Sequence, residues 1–262
     1  MLQIAIPNKG ALSDGSVELL KEAGYKCVRY GRELVVADKN NGIEFVFLRP
    51  RDIAVYVGNG VLDMGITGRD LAQDSLADVT EILPLNFGHS SFQYAVPKAS
   101  DLLPDQFGGL RIATSYPEIV AADLKRRNIH AFIVRLDGAV EVSVQLGVAD
   151  VIADVVESGN TIKEAGLKIV GDPVMQSEAV MIARGPGIEE KQEVKTILGR
   201  IRGILVARSY AMVEYDIERE HLETACKNNP RHRVSDDFPA EQSGLGGGQS
   251  HDSPQGKQSH HG

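Results

Sequence analysis

Apolar and polar positions follow one another along the chain in an order that predicts strands followed by helices. Short apolar runs at residues 2–6 and 64–67 are typical of strands. The segments after them, 12–23 and 68–75, have the apolar spacing of helices, and Gly24 follows the first of these. This order favours an α/β fold with largely parallel strands.

One antiparallel hairpin is expected to interrupt that order. Residues 34–37 and 43–48 are mostly apolar and flank the sequence Asp-Lys-Asn-Asn-Gly. An Asn-Gly pair tolerates the positive φ angles of a tight turn, so the two segments are predicted to pair.

A second series of strands and helices begins near Phe92 and predicts a second lobe. Its elements are expected at residues 92–97, 111–114, 118–127, 132–134, 140–146 and 151–155. A further strand is expected at 177–184. Residues 189–210 carry apolar side chains at spacings of three and four, which predicts an amphipathic helix that returns to the first lobe. Chain crossings near residues 90–92 and 177–181 would leave a cleft between the lobes.

These elements divide the chain into two lobes and a tail. The first lobe is expected to comprise residues 1–90 and 185–225, and the second lobe residues 91–184. From about Asn228 the sequence becomes rich in Gly, Ser, Gln and His and has few apolar residues. So little apolar surface cannot offset the entropy of ordering, so residues 226–262 are predicted to be a disordered tail.

Composition narrows the class of protein. The chain has 262 residues, of which 42% are hydrophobic, with a formal net charge of −8 and two cysteines. An acidic chain lacks the excess of Lys and Arg that a nucleic-acid footprint needs. Neither Cys27 nor Cys226 has a partner at the spacing of a zinc site. Because no signal-peptide pattern and no membrane-length apolar run is present, we expect a cytoplasmic protein without membrane partners.

The segment 151–161 holds the clearest candidate site. An apolar strand ends there in the turn Ser158-Gly159-Asn160-Thr161, whose hydroxyls and backbone N–H groups converge at an expected helix start. Such a turn suits a monophosphate. Asp154 and Glu157 precede it and are suited to accept hydrogen bonds from ribose hydroxyls. The pattern indicates a 5-phosphoribosyl site, with an ordinary capped turn as the alternative.

Cations follow two strands of the first lobe. Lys9 comes after the first strand, and Arg49 and Arg51 come after the strand at 43–48. Because ligands of open α/β sheets bind at the carboxyl ends of strands, these cations are candidates for holding a pyrophosphate. A solvated basic surface is the alternative.

Three further strand ends carry polar side chains. Asp70 is expected either to cap the next helix or to meet a ligand, and Tyr116 is placed to stack on a base. Glu141 falls in the first turn of the helix expected at 140–146, where the helix dipole favours a carboxylate. No Ser-His-Asp, Cys-His or GxxxxGK[ST] pattern and no metal cage is apparent before the tail, which disfavours hydrolase and P-loop classes.

Five motifs in this order closely resemble the long, regulated form of ATP phosphoribosyltransferase. They are Ile-Pro-Asn-Lys-Gly at 6–10, Leu-Arg-Pro-Arg-Asp-Ile at 48–53, Leu-Asp-Met-Gly-Ile-Thr-Gly at 62–68, Arg-Ile-Ala-Thr-Ser-Tyr-Pro at 111–117, and the run 136–161. The resemblance covers about residues 1–225. It implies an α/β, two-lobed catalytic unit of the type II periplasmic-binding-protein kind, with ATP and phosphoribosyl pyrophosphate meeting in the cleft. It also implies Mg²⁺ as cofactor and a homo-oligomer.

The resemblance also implies roles for individual residues. Asp154 would lie near the ribose hydroxyls, and Lys9 and Arg49 would face the pyrophosphate. Glu141 would act either as a base or by holding a substrate hydroxyl. The loop around the 5-phosphate would be Glu157, Ser158, Gly159, Asn160 and Thr161, and the residues near the ATP nucleotide would be Asp70, Leu71, Ser90, Ala113 and Tyr116. No metal ligand is assigned to the protein itself.

Two features depart from the family pattern. Arg51 stands where the family typically has Lys, which keeps the charge and changes the geometry. The apolar-poor tail stands where the resemblance implies a regulatory domain that binds histidine. We therefore expect inhibition by histidine to be lost or weakened, and assembly to stop at a dimer.

Three other functions stay open at this point. The fold alone also suits a small-ligand binding module that catalyses nothing, since fold does not give function. A phosphoribosyltransferase with another base as acceptor and a non-catalytic paralogue are the other two. The paired cations and the intact segment 154–161 disfavour the two non-catalytic alternatives.

Overall fold

The computed structural model describes residues 1–31, 33–185 and 187–209. The tail predicted at 226–262, and with it the predicted change in the response to histidine, lies outside the described residues. Among the helices that are described, none has both the length and the apolar character needed to cross a membrane.

The chain alternates strands with helices, as the apolar pattern predicts. In order, the strands are β1 (Leu2–Pro7), β2 (Val35–Asp38), β3 (Ile43–Leu48), β4 (Met64–Gly68), β5 (Thr80–Pro84), β6 (Ser90–Pro97), β7 (Arg111–Thr114), β8 (Phe132–Arg135), β9 (Val151–Val156), β10 (Leu167–Ser177) and β11 (Ala179–Ala183). The helices are α1 (Ala11–Glu22), α2 (Pro50–Gly58), α3 (Arg69–Asp74), α4 (Pro117–Arg127), α5 (Asn160–Glu164) and α6 (Gln192–Arg208). Three short 3₁₀ turns lie at Pro104–Gln106, Val140–Val142 and Ile188–Glu190.

The first lobe is built on a six-stranded sheet in the order β2-β3-β1-β4-β11-β5. β1 pairs in parallel with β3 and β4, β2 forms the predicted hairpin with β3, and β11 runs antiparallel to both β4 and β5. Successive residues of a strand face opposite sides. Accordingly Ile4 and Ile6 join a core with α1 and α6, whereas Ala5 joins a core with α2. Helices therefore cover both faces of this sheet, and α6 returns to the first lobe as predicted.

The second lobe is built on a five-stranded sheet in the order β10-β6-β9-β7-β8. β7 pairs in parallel with β8 and β9, and β6 pairs antiparallel with both β9 and β10. One face packs on α4, and the other packs on α5 and the 3₁₀ turn at Val140–Val142. The chain thus forms two α/β lobes, in agreement with the predicted fold class.

The helix predicted at 140–146 is wrong. Only the 3₁₀ turn Val140–Val142 forms, after Gly138 at φ 150° and Ala139 at φ 49°. Three valines lie in this segment, and β-branched side chains lose rotamer freedom in a helix. The Ser143 hydroxyl donates to the Val140 carbonyl at 2.6 Å, which closes a tight turn instead.

Two strands were not predicted, and one was placed in the wrong lobe. β5 is a short edge strand, and β10 is interrupted by Gly171, Asp172 and Pro173, where its pairing with β6 shifts register between Val170 and Met175. β11 was assigned to the second lobe by the boundary at 184. It lies in the first sheet because it pairs with both β4 and β5.

Candidate active site

A cavity of about 400 Å³ opens at the carboxyl end of β9 in the second lobe. It combines three carboxylates, two hydroxyls and a glycine turn with apolar side chains. Its lining residues are Glu141, Ile152, Asp154, Val155, Val156, Glu157, Ser158, Gly159, Thr161 and Ile162. Five of the six residues predicted for the phosphoribosyl site therefore line one cavity, and the sixth, Asn160, does not.

The turn that closes this cavity is built by a buried strand end and a glycine. β9 ends at Val156, which is buried, and Gly159 adopts φ 74°, a left-handed conformation that glycine reaches without strain. α5 begins at the next residue, and no described side chain caps it. The first N–H groups of a helix have no partner within the helix. Donors are therefore available beside Ser158 and Thr161, both of which are exposed.

Asp154 lies at the base of the cavity among other charges. Its Oδ1 accepts a hydrogen bond from the Val155 N–H at 2.8 Å. Burial raises the pKa of the Asp154 carboxyl, the nearby Glu141 and Asp70 carboxylates raise it further, and Arg51 opposes them. Residues from four separate segments thus influence one carboxyl group. The lobe boundary carries an acidic cluster with a cation beside it.

Tyr116 belongs to the same cluster. Burial raises the pKa of its hydroxyl, and Asp70 adds to that effect, so the side chain stays neutral. The guanidinium carbon of Arg51 lies 4.3 Å from the centroid of the Tyr116 ring. Phe92 packs edge-on against the same ring, with centroids 5.4 Å apart. Arg51 therefore covers the ring, and a base that stacks there must displace the guanidinium.

Asp70 is buried and does not cap its own helix, so the capping alternative is wrong. Its Oδ1 accepts a hydrogen bond from the Ser177 hydroxyl at 2.7 Å, while its N–H donates to Ser177 Oγ at 3.1 Å. The N-cap residue of α3 is Gly68, and no side chain caps the start of this helix. Asp70 instead joins the first lobe to the last residue of β10.

The remaining candidates for the nucleotide site are mostly interior. The Ala113 side chain is fully buried among apolar residues of β6 and β9, and Leu71 is 8% exposed. Ser90 is half-buried at the start of β6, paired in register with Ser177. The structure brings Asp70 and Tyr116 together but leaves the side chains of Ala113 and Leu71 within the protein. Those two would meet a ligand through backbone atoms.

Lys9 and Arg49 leave neighbouring strands at the same edge of the first sheet. The Asn8 N–H donates to the Leu48 carbonyl at 2.8 Å, which continues the β1–β3 pairing to the residues just before both cations. Both side chains are exposed, and neither takes part in an ion pair within the described residues. Asp70 follows β4, the parallel neighbour of β1, at this same edge.

Sequence reasoning missed two residues that the structure adds to this region. Arg29 Nη2 donates to the Asn8 carbonyl at 2.8 Å, and its guanidinium carbon lies 4.4 Å from the Phe47 ring centroid. A further cation therefore stands beside Lys9. Asp74 accepts from Arg51 and from two N–H groups of α4. No sequence signal marks either residue, because their partners lie 18 to 45 positions away.

No group of three or more His, Cys, Asp or Glu side chains in the described ranges is arranged to hold a metal ion. The acidic cluster consists of Asp154 and Glu141 of the second lobe, which line the cavity, and Asp70 of the first lobe.

Comparison with known proteins gives consistent results. A family profile described as HisG, ATP phosphoribosyltransferase, matches residues 49–203. The ATP phosphoribosyltransferase of Salinibacter ruber is 57% identical over 231 residues, covering 88% of this chain and 82% of that protein. Among solved structures, an ATP phosphoribosyl transferase (HisG:HisZ) complex from Thermotoga maritima is similar, with a TM-score of 0.69 and 26% identity, covering 79% of this chain and 100% of that one.

The fold is also that of periplasmic binding proteins. One from Brucella ovis, with glutathione bound, has a TM-score of 0.51 and 12% identity over 88% of this chain and 74% of that chain. At that identity the likeness concerns the fold alone.

Proposed function

The chain belongs to the ATP phosphoribosyltransferase family, and from that premise we propose how its own residues carry the reaction. The enzyme transfers the 5-phosphoribosyl group of phosphoribosyl pyrophosphate to N1 of ATP, the first step of histidine biosynthesis. A bond forms between N1 and the anomeric carbon, while the bond from that carbon to the pyrophosphate oxygen breaks. Pyrophosphate leaves with the electron pair, and positive charge develops on the sugar ring.

The cavity at the end of β9 is the proposed site for the 5-phosphoribosyl group. The hydroxyls of Ser158 and Thr161 line it, and the uncapped N–H groups of α5 lie beside them, which supplies donors for the 5-phosphate. Asp154 lines the same cavity and suits the ribose hydroxyls because a carboxylate accepts from two donors. The presence of these donors and of a carboxylate acceptor in one cavity of about 400 Å³ is the observation that carries the proposal.

The negative charges that line the cavity also suit the transition state. Glu141 and Asp154 both line the cavity, and their negative charges are close enough to act on one another. A sugar ring that gains positive charge between them is stabilised more than the neutral ground state. We assign Glu141 this electrostatic role, together with contact to a ribose hydroxyl.

Lys9 and Arg49 are the proposed partners of the pyrophosphate. They are exposed cations at the carboxyl ends of two paired strands. Arginine binds phosphate oxygens in a bidentate manner, and lysine acts as a compact charge. Arg29 lies beside Asn8 and adds a third charge to the same edge.

The ATP nucleotide is assigned to the lobe boundary. Asp70 supplies an acceptor there and Tyr116 a neutral hydroxyl, while Arg51 covers the Tyr116 ring. Ser90, Leu71 and Ala113 complete the surface, the last two through their backbone.

Mg²⁺ fits the donor chemistry of this region. The ion usually retains several waters and binds through one or two carboxylates together with substrate phosphates, so a preformed protein cage is not required. Asp154, Glu141 and Asp70 supply carboxylate oxygens. The charges of Glu141 and Asp70 raise the pKa of Asp154, and a cation bound nearby would reduce this repulsion. When bound, the ion would neutralise pyrophosphate charge.

We also propose a homodimer that acts in the cytoplasm. β2 and β8 are edge strands of their sheets, and Leu34, Val35 and Phe132, at or next to them, are 60%, 48% and 66% exposed. Exposed apolar side chains at sheet edges are typical of surfaces that pair with another chain. Light scattering behind a sizing column measures the mass directly, and a monomer at all concentrations would contradict the proposal.

The reaction is tested by incubating the chain with phosphoribosyl pyrophosphate, Mg²⁺ and one acceptor at a time. ATP should give phosphoribosyl-ATP and pyrophosphate, whereas adenine, hypoxanthine and orotate should give no product. Product from one of those bases would support another phosphoribosyltransferase. Nucleotide binding without turnover would support a binding module.

A further inference from the structure

Asp74 of the first lobe caps a helix of the second lobe. It is the last residue of α3, and its Oδ1 accepts hydrogen bonds from the N–H groups of Glu118 at 2.9 Å and Ile119 at 3.3 Å. These are first-turn groups of α4, and the residue that precedes α4, Tyr116, makes no side-chain cap of its own. A helix start normally takes such a cap from its own preceding residue. Here the cap comes from 44 residues away, across the lobe boundary.

The other oxygen of the same carboxylate holds Arg51. Arg51 Nη1 lies 3.2 Å from Asp74 Oδ2, and the Asp74 side chain is only 7% exposed. The guanidinium held in this way lies over the ring of Tyr116, 4.3 Å from its centroid. Tyr116 immediately precedes α4. One carboxylate therefore links a cation of the first lobe to both the helix start and the aromatic ring of the second.

Arg51 acts on the proposed site from this position. Its charge lowers the pKa of both Asp154 and Tyr116, against the effects of burial and of Asp70. Without Asp74, the 41% exposed Arg51 side chain would have no ion-pair partner in the part of the chain that the structure describes, and only its contact with the Tyr116 ring would hold it there. An arginine side chain that is not held in place loses conformational entropy each time it returns to this position.

We propose that Asp74 is a positioning residue for phosphoribosyl transfer: it links α3 of the first lobe to α4 of the second and places Arg51 beside Tyr116 and Asp154. The inference rests on the proposed function for its catalytic readout. Its structural content, that one carboxylate couples the two lobes, is measurable without turnover.

Two substitutions of Asp74 separate its two contacts. Asp74→Asn keeps an oxygen for the α4 N–H groups and turns its amide NH2 group toward Arg51, so the ion pair is lost. Asp74→Ala removes the cap as well. The matched control is Asp105→Ala, because Asp105 also contacts α4, through Arg127 at 3.3 Å, but is 85% exposed and far along the helix from Tyr116.

We expect kcat/KM to fall roughly tenfold in Asp74→Asn and roughly a hundredfold in Asp74→Ala, since losing a buried charge pair and a cap each matter on this scale. Asp105→Ala should stay within about twofold of wild type. Arg51→Met should match Asp74→Asn, and the double variant Asp74→Asn/Arg51→Met should show no further loss, because both changes break the same link.

Small-angle scattering with ATP bound gives the second readout. Wild type and Asp105→Ala should remain compact, and Asp74→Ala should have a larger radius of gyration. Unchanged kcat/KM in Asp74→Asn and Arg51→Met, or a lower melting temperature in Asp74→Ala with unaltered kinetics, would overturn the positioning role. If wild type made no phosphoribosyl-ATP, the proposed function would fail, while the scattering comparison would still decide whether Asp74 couples the lobes.

Discussion

Asp70 and Ser177 bind each other twice, side chain to side chain at 2.7 Å and backbone N–H to hydroxyl at 3.1 Å. Asp70 is the second residue of the helix after β4 in the first lobe, and Ser177 ends β10 in the second. Gly68 makes this close approach possible, because a Cβ at that position would collide with the Asp70 carboxylate. The pair fixes the direction of a buried carboxylate at the lobe boundary, next to Tyr116 and Asp154.

Ser177→Ala is predicted to destabilise the fold by about 1–3 kcal/mol, because a buried carboxylate and an N–H group lose their partner. Activity should fall as well, since Asp70 would be free to turn. Urea unfolding gives the free energy. Ser209→Ala is the control, because Ser209 is exposed and, among the residues that the structure describes, its hydroxyl bonds to the preceding turn alone; a change of more than about 0.5 kcal/mol there would indicate a general effect of serine loss.

Asp154→Asn is predicted to lower turnover about a hundredfold, because it removes a charged acceptor from the proposed ribose site. The same substitution should stabilise the fold at neutral pH although it lowers turnover. The folded state raises the Asp154 pKa. The carboxyl therefore favours the folded state at low pH, and that contribution is lost as the pH rises through the folded-state pKa.

At neutral pH the ionised Asp154 carboxylate therefore lowers the free energy of unfolding, whereas the neutral amide of asparagine does not. Asp154→Asn should gain stability relative to wild type between about pH 4 and pH 7. Urea unfolding at both pH values measures this difference. Asp172→Asn, at an exposed carboxylate on β10, is the control and should show almost no such change. A variant that loses stability relative to wild type as the pH rises would contradict the assigned burial effect.

Thr161→Val is predicted to raise KM for phosphoribosyl pyrophosphate roughly tenfold, with little change in KM for ATP, because one donor to the 5-phosphate is removed without loss of volume. Steady-state kinetics with each substrate varied in turn separates the two constants. Thr196→Val, on the exposed face of α6, should leave both unchanged. Equal increases in both KM values would place Thr161 outside the phosphoribosyl site.

Arg49→Lys is predicted to reduce kcat/KM roughly tenfold although the charge is kept, because lysine cannot bind two phosphate oxygens in a fork. Lys9→Met should reduce it further by removing a charge from the pyrophosphate site. Product inhibition by pyrophosphate should weaken in both variants. Lys195→Met, an exposed lysine of α6, is the control; the same loss there would mean that net charge alone accounts for the effect.

The sequence predicted the elements whose apolar pattern is regular. β3 and β7 match their predicted bounds, and α1 and α6 are close to theirs. β3 alternates regularly between buried and half-buried side chains, whereas β7 is a short run with three buried residues in succession. β10 escaped prediction because Gly171, Asp172 and Pro173 interrupt it, a run that locally favours a turn. Pairing with β6 on both sides of that bulge makes it a strand.

The candidate site was predictable as separate strand ends and not as one arrangement. Lys9, Asp70 and Tyr116 each follow a strand and Asp154 lies near the end of one, which the sequence shows. Their mutual distances depend on how two sheets face each other, and no local pattern encodes that. The cap from Asp74 to α4 is the extreme case, since neither its donors nor its acceptor is unusual within its own segment.

The most direct test follows pyrophosphate release and phosphoribosyl-ATP formation when the purified chain meets ATP, phosphoribosyl pyrophosphate and Mg²⁺. The account predicts equal amounts of both products and their loss in Asp154→Asn, with the variant still folded. Release of pyrophosphate without phosphoribosyl-ATP, or turnover that Asp154→Asn leaves intact, would contradict the assignment of the β9 cavity as the site of transfer.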